Sequence, residues 1–207
     1  MSLESTKRIL NRTGAFSLQE KRHFRNILDA IYEDTGANQA ALTTPAAAGI
    51  TGGTGTVYQS SVHTEPGDIP VIVTRIFIDL TGLGTSTTDL DIIGDSTPAA
   101  HIGRITTAQN GVIFSGTVTC LETPTTGADD IDLYSATVGT GAFDTGIATL
   151  TETALLTKGA AWAAGEVTAL TGLPPADDYL YLVNGEAGTV GVYDAGKILI
   201  ELRGTTL

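Results

Sequence analysis

Three stretches of this chain alternate side-chain character with a period of two. That period commits them to β-strands, because successive side chains of a strand point to opposite faces. Over 69–80 (Ile-Pro-Val-Ile-Val-Thr-Arg-Ile-Phe-Ile-Asp-Leu), Ile72, Ile76, Ile78 and Leu80 share one face with Thr74 among them, while Val71, Val73, Arg75, Phe77 and Asp79 share the other. Arg75 and Asp79 mark the wetter side. Over 197–203, Ile198, Ile200 and Leu202 oppose Lys197, Glu201 and Arg203, and over 178–183, Leu180 and Leu182 oppose Tyr179 and Tyr181. Further strands are expected at 56–63, 111–122, 130–136 and 166–170, set apart by turns such as Asn184-Gly185 and Leu173-Pro174-Pro175. With 25 glycines, abundant threonine and single Met, Trp and Cys residues, the composition suits short strands joined by tight turns. The expected fold class is mainly β: a two-sheet β-sandwich, jelly-roll-like, because no amphipathic helix separates these strands.

One helix is expected outside that body, from Leu18 to Asp34. Ser17 and Glu20 form a capping box at its start, and Gly36 suits the left-handed residue that ends a helix. Leu18, Phe24, Ile27, Leu28, Ile31 and Tyr32 recur at spacings of three and four and form an apolar stripe. An isolated helix of about 17 residues is marginal in water, so that stripe needs the body, a sister subunit or another surface to cover it. Residues 37–56 are small, uncharged and turn-prone and read as a linker. The organisation is therefore a basic arm and helix (1–36), a Gly/Ala/Thr linker (37–56) and a β body (57–207).

Charge divides along the same boundary. Of 11 basic residues, six (Lys7, Arg8, Arg12, Lys21, Arg22 and Arg25) lie in the first 26 positions, where the only acids are Glu4 and Glu20. Five basic residues remain against 21 of the 23 acidic ones, so an arm of about +4 precedes a remainder of about −16. The whole chain has a pI of about 4.4, and a body this acidic is unsuited to nucleic acid, which needs clustered Lys and Arg. The basic residues of the arm allow two readings, ordinary helix solvation or a docking element, the latter with Lys7, Arg8, Ile9, Arg12, Phe16, Lys21, Arg22, Phe24 and Arg25 as candidate contacts that combine charge with apolar anchors. No apolar run approaches the roughly 20 residues of a membrane span, and no basic-then-apolar leader opens the chain, so synthesis in a reducing cytoplasm is expected.

Nothing in the sequence announces a reaction. His23, His63 and His101 lack a Gly-x-Ser-x-Gly elbow or a His-Glu-x-x-His pattern. The acidic groups at Asp89, Asp91 and Asp95, at Asp129, Asp130 and Asp132, and at Asp177 and Asp178 lack an EF-hand's remaining ligands, and they read as turn caps or a polar sheet face. The Gly52-Gly53-Thr54-Gly55 run lacks the Lys and the helix of a phosphate loop. Cys120, the single cysteine, reads as a core residue. No catalytic, metal or cofactor residue is assigned.

A series of short phrases runs in order through the last three quarters of the chain. They are Gly55-Thr-Val-Tyr58, Asp79-Leu-Thr-Gly-Leu83, Ala99-Ala-His-Ile-Gly103, Cys120-Leu-Glu-Thr-Pro124, Asp130-Ile-Asp-Leu-Tyr134, Tyr179-Leu-Tyr-Leu-Val183 and Ala195-Gly-Lys-Ile-Leu-Ile-Glu-Leu202. In these the chain resembles virion structural proteins of marine and freshwater tailed bacteriophages, of the type that decorate or cement a capsid. The resemblance implies a non-enzymatic role, a body seated on major capsid protein, a homotrimer, and a place on the virion surface after synthesis in the host cytoplasm. It supplies no functional residue. The alternative is a fibre or tail-associated module that binds glycans, with Tyr179, Tyr181, Tyr193 and Trp162 stacking on sugars.

Overall fold

A computed structural model describes residues 50–66 and 70–206, all within one unit, Ala46–Leu207. The expected arm, the helix over 18–34 and the linker up to residue 49 lie outside the described residues. Among those described, strand dominates: β1 (Tyr58–Glu65), β2 (Val71–Asp79), β3 (Gly84–Thr85), β4 (Gly103–Arg104), β5 (Val112–Thr125), β6 (Ile131–Ala136), β7 (Glu152–Leu156), β8 (Val167–Ala169), β9 (Tyr179–Asn184), β10 (Gly191–Val192) and β11 (Ala195–Thr205). Within the described residues helix is limited to α1 (Thr107–Asn110) and a 3-10 turn at Ile147–Leu150.

The strands pair antiparallel throughout, in a five-stranded sheet ordered β1-β2-β11-β5-β8, a four-stranded sheet ordered β4-β9-β6-β7, and the short pair β10-β3. The period-two pattern sets the register of the first sheet. Ile76 lies opposite Ser60 on β1 and Ile200 on β11, so the even-numbered face of β2 and the apolar face of β11 turn inward together. The polar rows turn outward, where Arg75 opposes Glu201 and Asp79 opposes Lys197. Slipping β2 by one residue would exchange these faces, so burial itself fixes the pairing.

Both sheets contribute to one apolar cluster: Ile76 and Ile78, Val118 and Cys120, and Ile198, Ile200 and Leu202 from the first, with Ile131, Leu133, Leu155, Leu156, Leu180 and Leu182 from the second. Each such side chain taken from water is worth roughly 1.5–3 kcal/mol before entropy is counted. Thr74 sits among them fully buried, and the amide of Asn110 on α1 donates to its hydroxyl at 2.8 Å. The polar residue on an apolar face is thereby satisfied, and it ties α1 to β2.

Two expectations change here. The last residues of the expected linker, 50–56, pack on the body: Ile50 is buried in the shared cluster, the Gly53 amide donates to the His101 carbonyl at 2.6 Å, and the Gly52 amide meets the Tyr58 hydroxyl. A Cβ on Gly103 would lie 2.3 Å from Ile50 Cγ2, so the missing side chain is what lets Ile50 seat. Second, β6 and β9 are buried on both faces. Tyr134, Ala136, Tyr181 and Val183 join Ile92, Ala100 and Ile147 in a second cluster beneath the segments around 90–100 and 137–150. The face of Asp130 and Asp132 is thus not an exposed polar sheet face, and Asp132 retains only 2 % of its exposure.

Candidate functional site

Four connections meet at one end of the body. Residues 86–89 follow β3, 126–130 join β5 to β6, 157–166 join β7 to β8, and 185–194 join β9 to β11 by way of β10. Backbone and side-chain bonds lace them together. The Gly188 amide donates to the Thr87 carbonyl and the Gly185 amide to the Asp130 carbonyl, both at 2.9 Å. The Trp162 amide donates to the Asp129 carbonyl at 2.9 Å, its indole to the Ile131 carbonyl at 2.8 Å, and the Tyr193 hydroxyl to the Ala128 carbonyl at 2.6 Å. Trp162 and Tyr193 are both about 1 % exposed and act as internal props for these loops.

This end is acidic. Asp89 and Asp194 are exposed and Asp129 and Glu186 half-buried, while Asp130 lies behind them. The carboxylate of Asp132 accepts the Lys158 amide at 2.7 Å, yet burial, with Asp130 and Asp89 nearby, pushes its carboxyl up to about 6. Burial and the charge of Glu186 also raise the carboxyl of Asp130. The Tyr193 hydroxyl is raised as well, by burial first and then by Asp129 and Glu186. Burial leads all three shifts, and neighbouring carboxylates add to it. Two buried oxygens, Asp130 Oδ1 and Asn184 Oδ1, find no donor. Val190 and Val192, in the connection from β9 to β11, are exposed at 61 % and 56 %.

Of the basic side chains of the described residues, Lys158 acts on this end, where its charge lowers the Asp130 carboxyl against burial and Glu186. Arg75 binds Glu201 at 2.9 Å, Arg104 binds Asp177 at 3.1 Å, Arg203 binds Glu201 at 2.9 Å, and Lys197 meets Glu122. Lys158, the one cation at the acidic end, is held by Glu166 at 2.9 Å and lies over the Trp162 ring at 5.1 Å. These are all five of the cations that follow Arg25 in the sequence. Apart from Lys158, whose side chain is only 9 % exposed, the cations of these pairs are exposed, and such pairs contribute about 0–1 kcal/mol each.

The remaining candidates do not assemble chemistry. Among the described residues no three His, Cys, Asp or Glu side chains converge in a way that could hold a metal. His101 Nδ1 lies 3.0 Å from the Gly139 carbonyl, and burial lowers its imidazole pKa. Asp95 caps a turn by accepting the Thr97 amide at 2.6 Å, and Asp178 accepts the Ser135 hydroxyl at 2.8 Å. Cys120 is fully buried in the shared cluster. An open groove of about 490 Å³ is lined by Thr51, Arg104, Thr106, Ala108, Gln109 and Tyr179. The Tyr179 ring there packs on Gly139 and lies beneath the Arg104 guanidinium at 5.3 Å, and Tyr181, Tyr193 and Trp162 are buried. Of the four aromatics expected to stack on sugars, three therefore have no face to offer.

No protein-family model, curated protein or solved structure matches this chain. The arm residues Lys7, Arg8, Ile9, Arg12, Phe16, Lys21, Arg22, Phe24 and Arg25 lie outside the described residues. The acidic end was only partly visible in the sequence: the Asp129 to Asp132 run and the Asp89 to Asp95 run are dense in carboxylates, but Glu186 and Asp194 join them only through the fold.

Proposed function

We propose that this protein is a bacteriophage capsid decoration, or cement, protein: a non-enzymatic structural component seated on the outer face of the major capsid shell. The observation that carries the reading is the strand order. Two four-strand rows, β2-β11-β5-β8 and β4-β9-β6-β7, hold eight strands that cross between sheets at every step but β6 to β7. That order supports a jelly-roll winding, with β1 added at one edge, and jelly rolls recur in virion shells and lectins. Fold alone does not assign function, and the charge and the aromatics favour the first of these two uses. Engaged cations and an acidic surface suit a crowded particle exterior, where like charge keeps particles apart. Burial of Trp162, Tyr181 and Tyr193 argues against a fibre or tail module that stacks on glycans.

On this reading the body is a two-sheet sandwich that assembles as a homotrimer, and the basic arm meets acidic ground on the shell. Many identical shallow sites then give an oligomer avidity without a large single interface. The test is to add the purified protein to tailed-phage heads that lack it, then measure occupancy by sedimentation and the temperature at which the heads rupture. Saturable binding that raises the rupture temperature supports the reading. Heads that neither bind the protein nor gain stability would refute it, and unchanged binding by protein lacking residues 1–36 would remove the arm from the account.

A further inference from the structure

We propose that the outer face of the five-stranded sheet, on its β5–β8 side, turns toward the axis of the assembly and packs there on the same surface of a second copy of this chain. This rests on the reading above that identical chains assemble with one another, and it names the surface that joins them.

The face is apolar where the outward face of an antiparallel sheet is ordinarily polar. Thr117 and Thr119 of β5 lie opposite Ala169 and Val167 of β8, and Val112 and Leu121 extend the same outward side of β5. None of these carries charge. Strict alternation back from Val118 and Gly116 would put Phe114 in the buried row, but the bulge beside Arg203 and Gly204 turns it outward, to 50 % exposure. Val167 is 60 % exposed. Of the nine exposed large apolar residues among those described, Val112, Phe114, Leu121 and Val167 thus share one side of one sheet, and the other five lie outside the strands of that sheet. Such a concentration marks an interaction surface. It extends inward across the sheet, because Thr119 lies opposite Leu199 of β11, which lies opposite Phe77 of β2.

Charge favours an identical chain as the occupant. Three of the five cations among the described residues, Arg75, Lys197 and Arg203, stand on this sheet face with four acids, Glu65, Asp79, Glu122 and Glu201. The rest of the described residues hold two cations against 13 acids. Copies brought together elsewhere oppose like charge, whereas this face is one charge short of neutral. Its charges also stand in opposed sets, Arg75 and Arg203 with Glu201 at 2.9 Å, Arg203 with Glu65 at 3.6 Å, and Lys197 with Glu122. Each sign on one copy therefore finds its opposite on an identical neighbour, a match that a partner of one predominant sign does not offer. The area is sufficient. About ten residues at ~3.3 Å each, across the four strands β2, β11, β5 and β8 spaced ~4.8 Å apart, give roughly 500–600 Å² on each copy and about 1,500–1,800 Å² over a homotrimer, within the range of specific interfaces.

The experiment uses the full chain, a double variant Leu121→Glu with Val167→Glu, a control Val190→Glu and a labelling variant Val167→Cys. Solution mass is read by light scattering, with circular dichroism to establish that each form is folded. Wild type is expected to be oligomeric and to keep or tighten its association at 0.5 M salt, because salt screens the repulsion between acidic bodies and spares an apolar contact. The double variant is expected to associate at least about 100-fold more weakly, since carboxylates of identical copies would be buried together unpaired. Val190→Glu adds the same charge at an equally exposed valine off the face and should keep the wild-type mass. In Val167→Cys a short bismaleimide should link two chains through the introduced thiol, as Cys120 is buried.

A monomeric wild type, a folded double variant that keeps the oligomer, or an introduced thiol that is alkylated freely but links no chains would overturn the inference. So would an association that weakens with salt, or one that Val190→Glu also removes. A monomer whose double variant loses head binding would give the face to the shell, and a monomer in which the introduced thiol resists alkylation would give it to another part of the same chain; either result overturns the inference. The head-binding assay is read separately. Heads bound and stabilised by a monomeric protein leave the decoration reading standing and remove only this inference. Heads left bare by an oligomer that the double variant dissociates would do the opposite.

Discussion

Asp132 accepts the backbone N–H of Lys158 at 2.7 Å, and through that bond a buried carboxyl on β6 fixes the loop after β7. The carboxyl titrates at about 6 in the fold against an ordinary 3.8. The folded protein therefore holds this proton more tightly than the unfolded chain does. Stability contributed by Asp132 is present at pH values below about 4 and is lost as pH rises toward 6, in total about 3 kcal/mol. Asp132→Asn keeps an acceptor for the Lys158 amide and removes the titration. The difference in melting temperature, variant minus wild type, is expected to grow between pH 4 and pH 7 and then level off. A difference that stays flat across that range would show that Asp132 is not the titrating group.

Trp162 closes the same loop from inside, with its indole donating to the Ile131 carbonyl. It is the chain's single tryptophan and is about 1 % exposed, so its emission should be blue-shifted and resist acrylamide until the fold opens. Trp162→Ala is expected to cost about 3–5 kcal/mol, from lost burial and a cavity, as read by chemical denaturation followed by circular dichroism. Red-shifted, readily quenched emission in the native protein would contradict this placement.

Asn110 bridges β2 and α1, its amide donating to the Thr74 hydroxyl at 2.8 Å while its side-chain oxygen accepts the Thr106 amide at 2.8 Å. Thr74→Val leaves a buried donor without an acceptor and is expected to destabilise by about 1–3 kcal/mol. Asn110→Ala should cost at least as much, since it also orphans the Thr106 amide. In the double variant the two losses should sum to less than their separate values, because the shared bond is counted once. Full additivity in denaturant melts would mean that the bond carries no coupling.

Ile50 places the start of the folded body ahead of the turn at 52–55. Ile50→Ala is expected to cost about 2–5 kcal/mol as a core truncation. Chains cut back to Ala46 and to Val57 should then differ sharply: the first keeps the Ile50 side chain in its seat over Gly103 and the Gly53 bond to His101, and the second loses both. Equal melting temperatures for the two would return residues 50–56 to the linker.

The strands were legible wherever one face is dry and the other wet. Val71–Asp79 and Ala195–Thr205 carry that contrast in every second residue, and both stand where the period places them. β7 was hidden because its sequence, Glu-Thr-Ala-Leu-Leu, puts both buried residues side by side at one end. The two-residue strands β3, β4 and β10 are too short to show a period. Asp130 and Asp132 misled for a related reason: alternation distinguishes two faces but does not say that a second layer of irregular chain will cover the polar one. Of the acidic end, the clustered aspartates were visible, but its assembly from four separate connections depends on long-range pairing that no local pattern encodes.

β11 is the last of the described strands, yet it lies between β2 and β5 and pairs with both along nearly its whole length. While the chain is being synthesised, β1-β2 and β5 cannot be joined into one sheet until Ala195–Thr205 has emerged. The apolar faces of Ile76, Ile78, Val118 and Cys120 wait uncovered in the interval. Nascent chains of this protein should therefore be clients of ribosome-associated chaperones until Ala195–Thr205 has emerged, and premature stops just upstream of Ala195 should yield aggregates instead of smaller folded products.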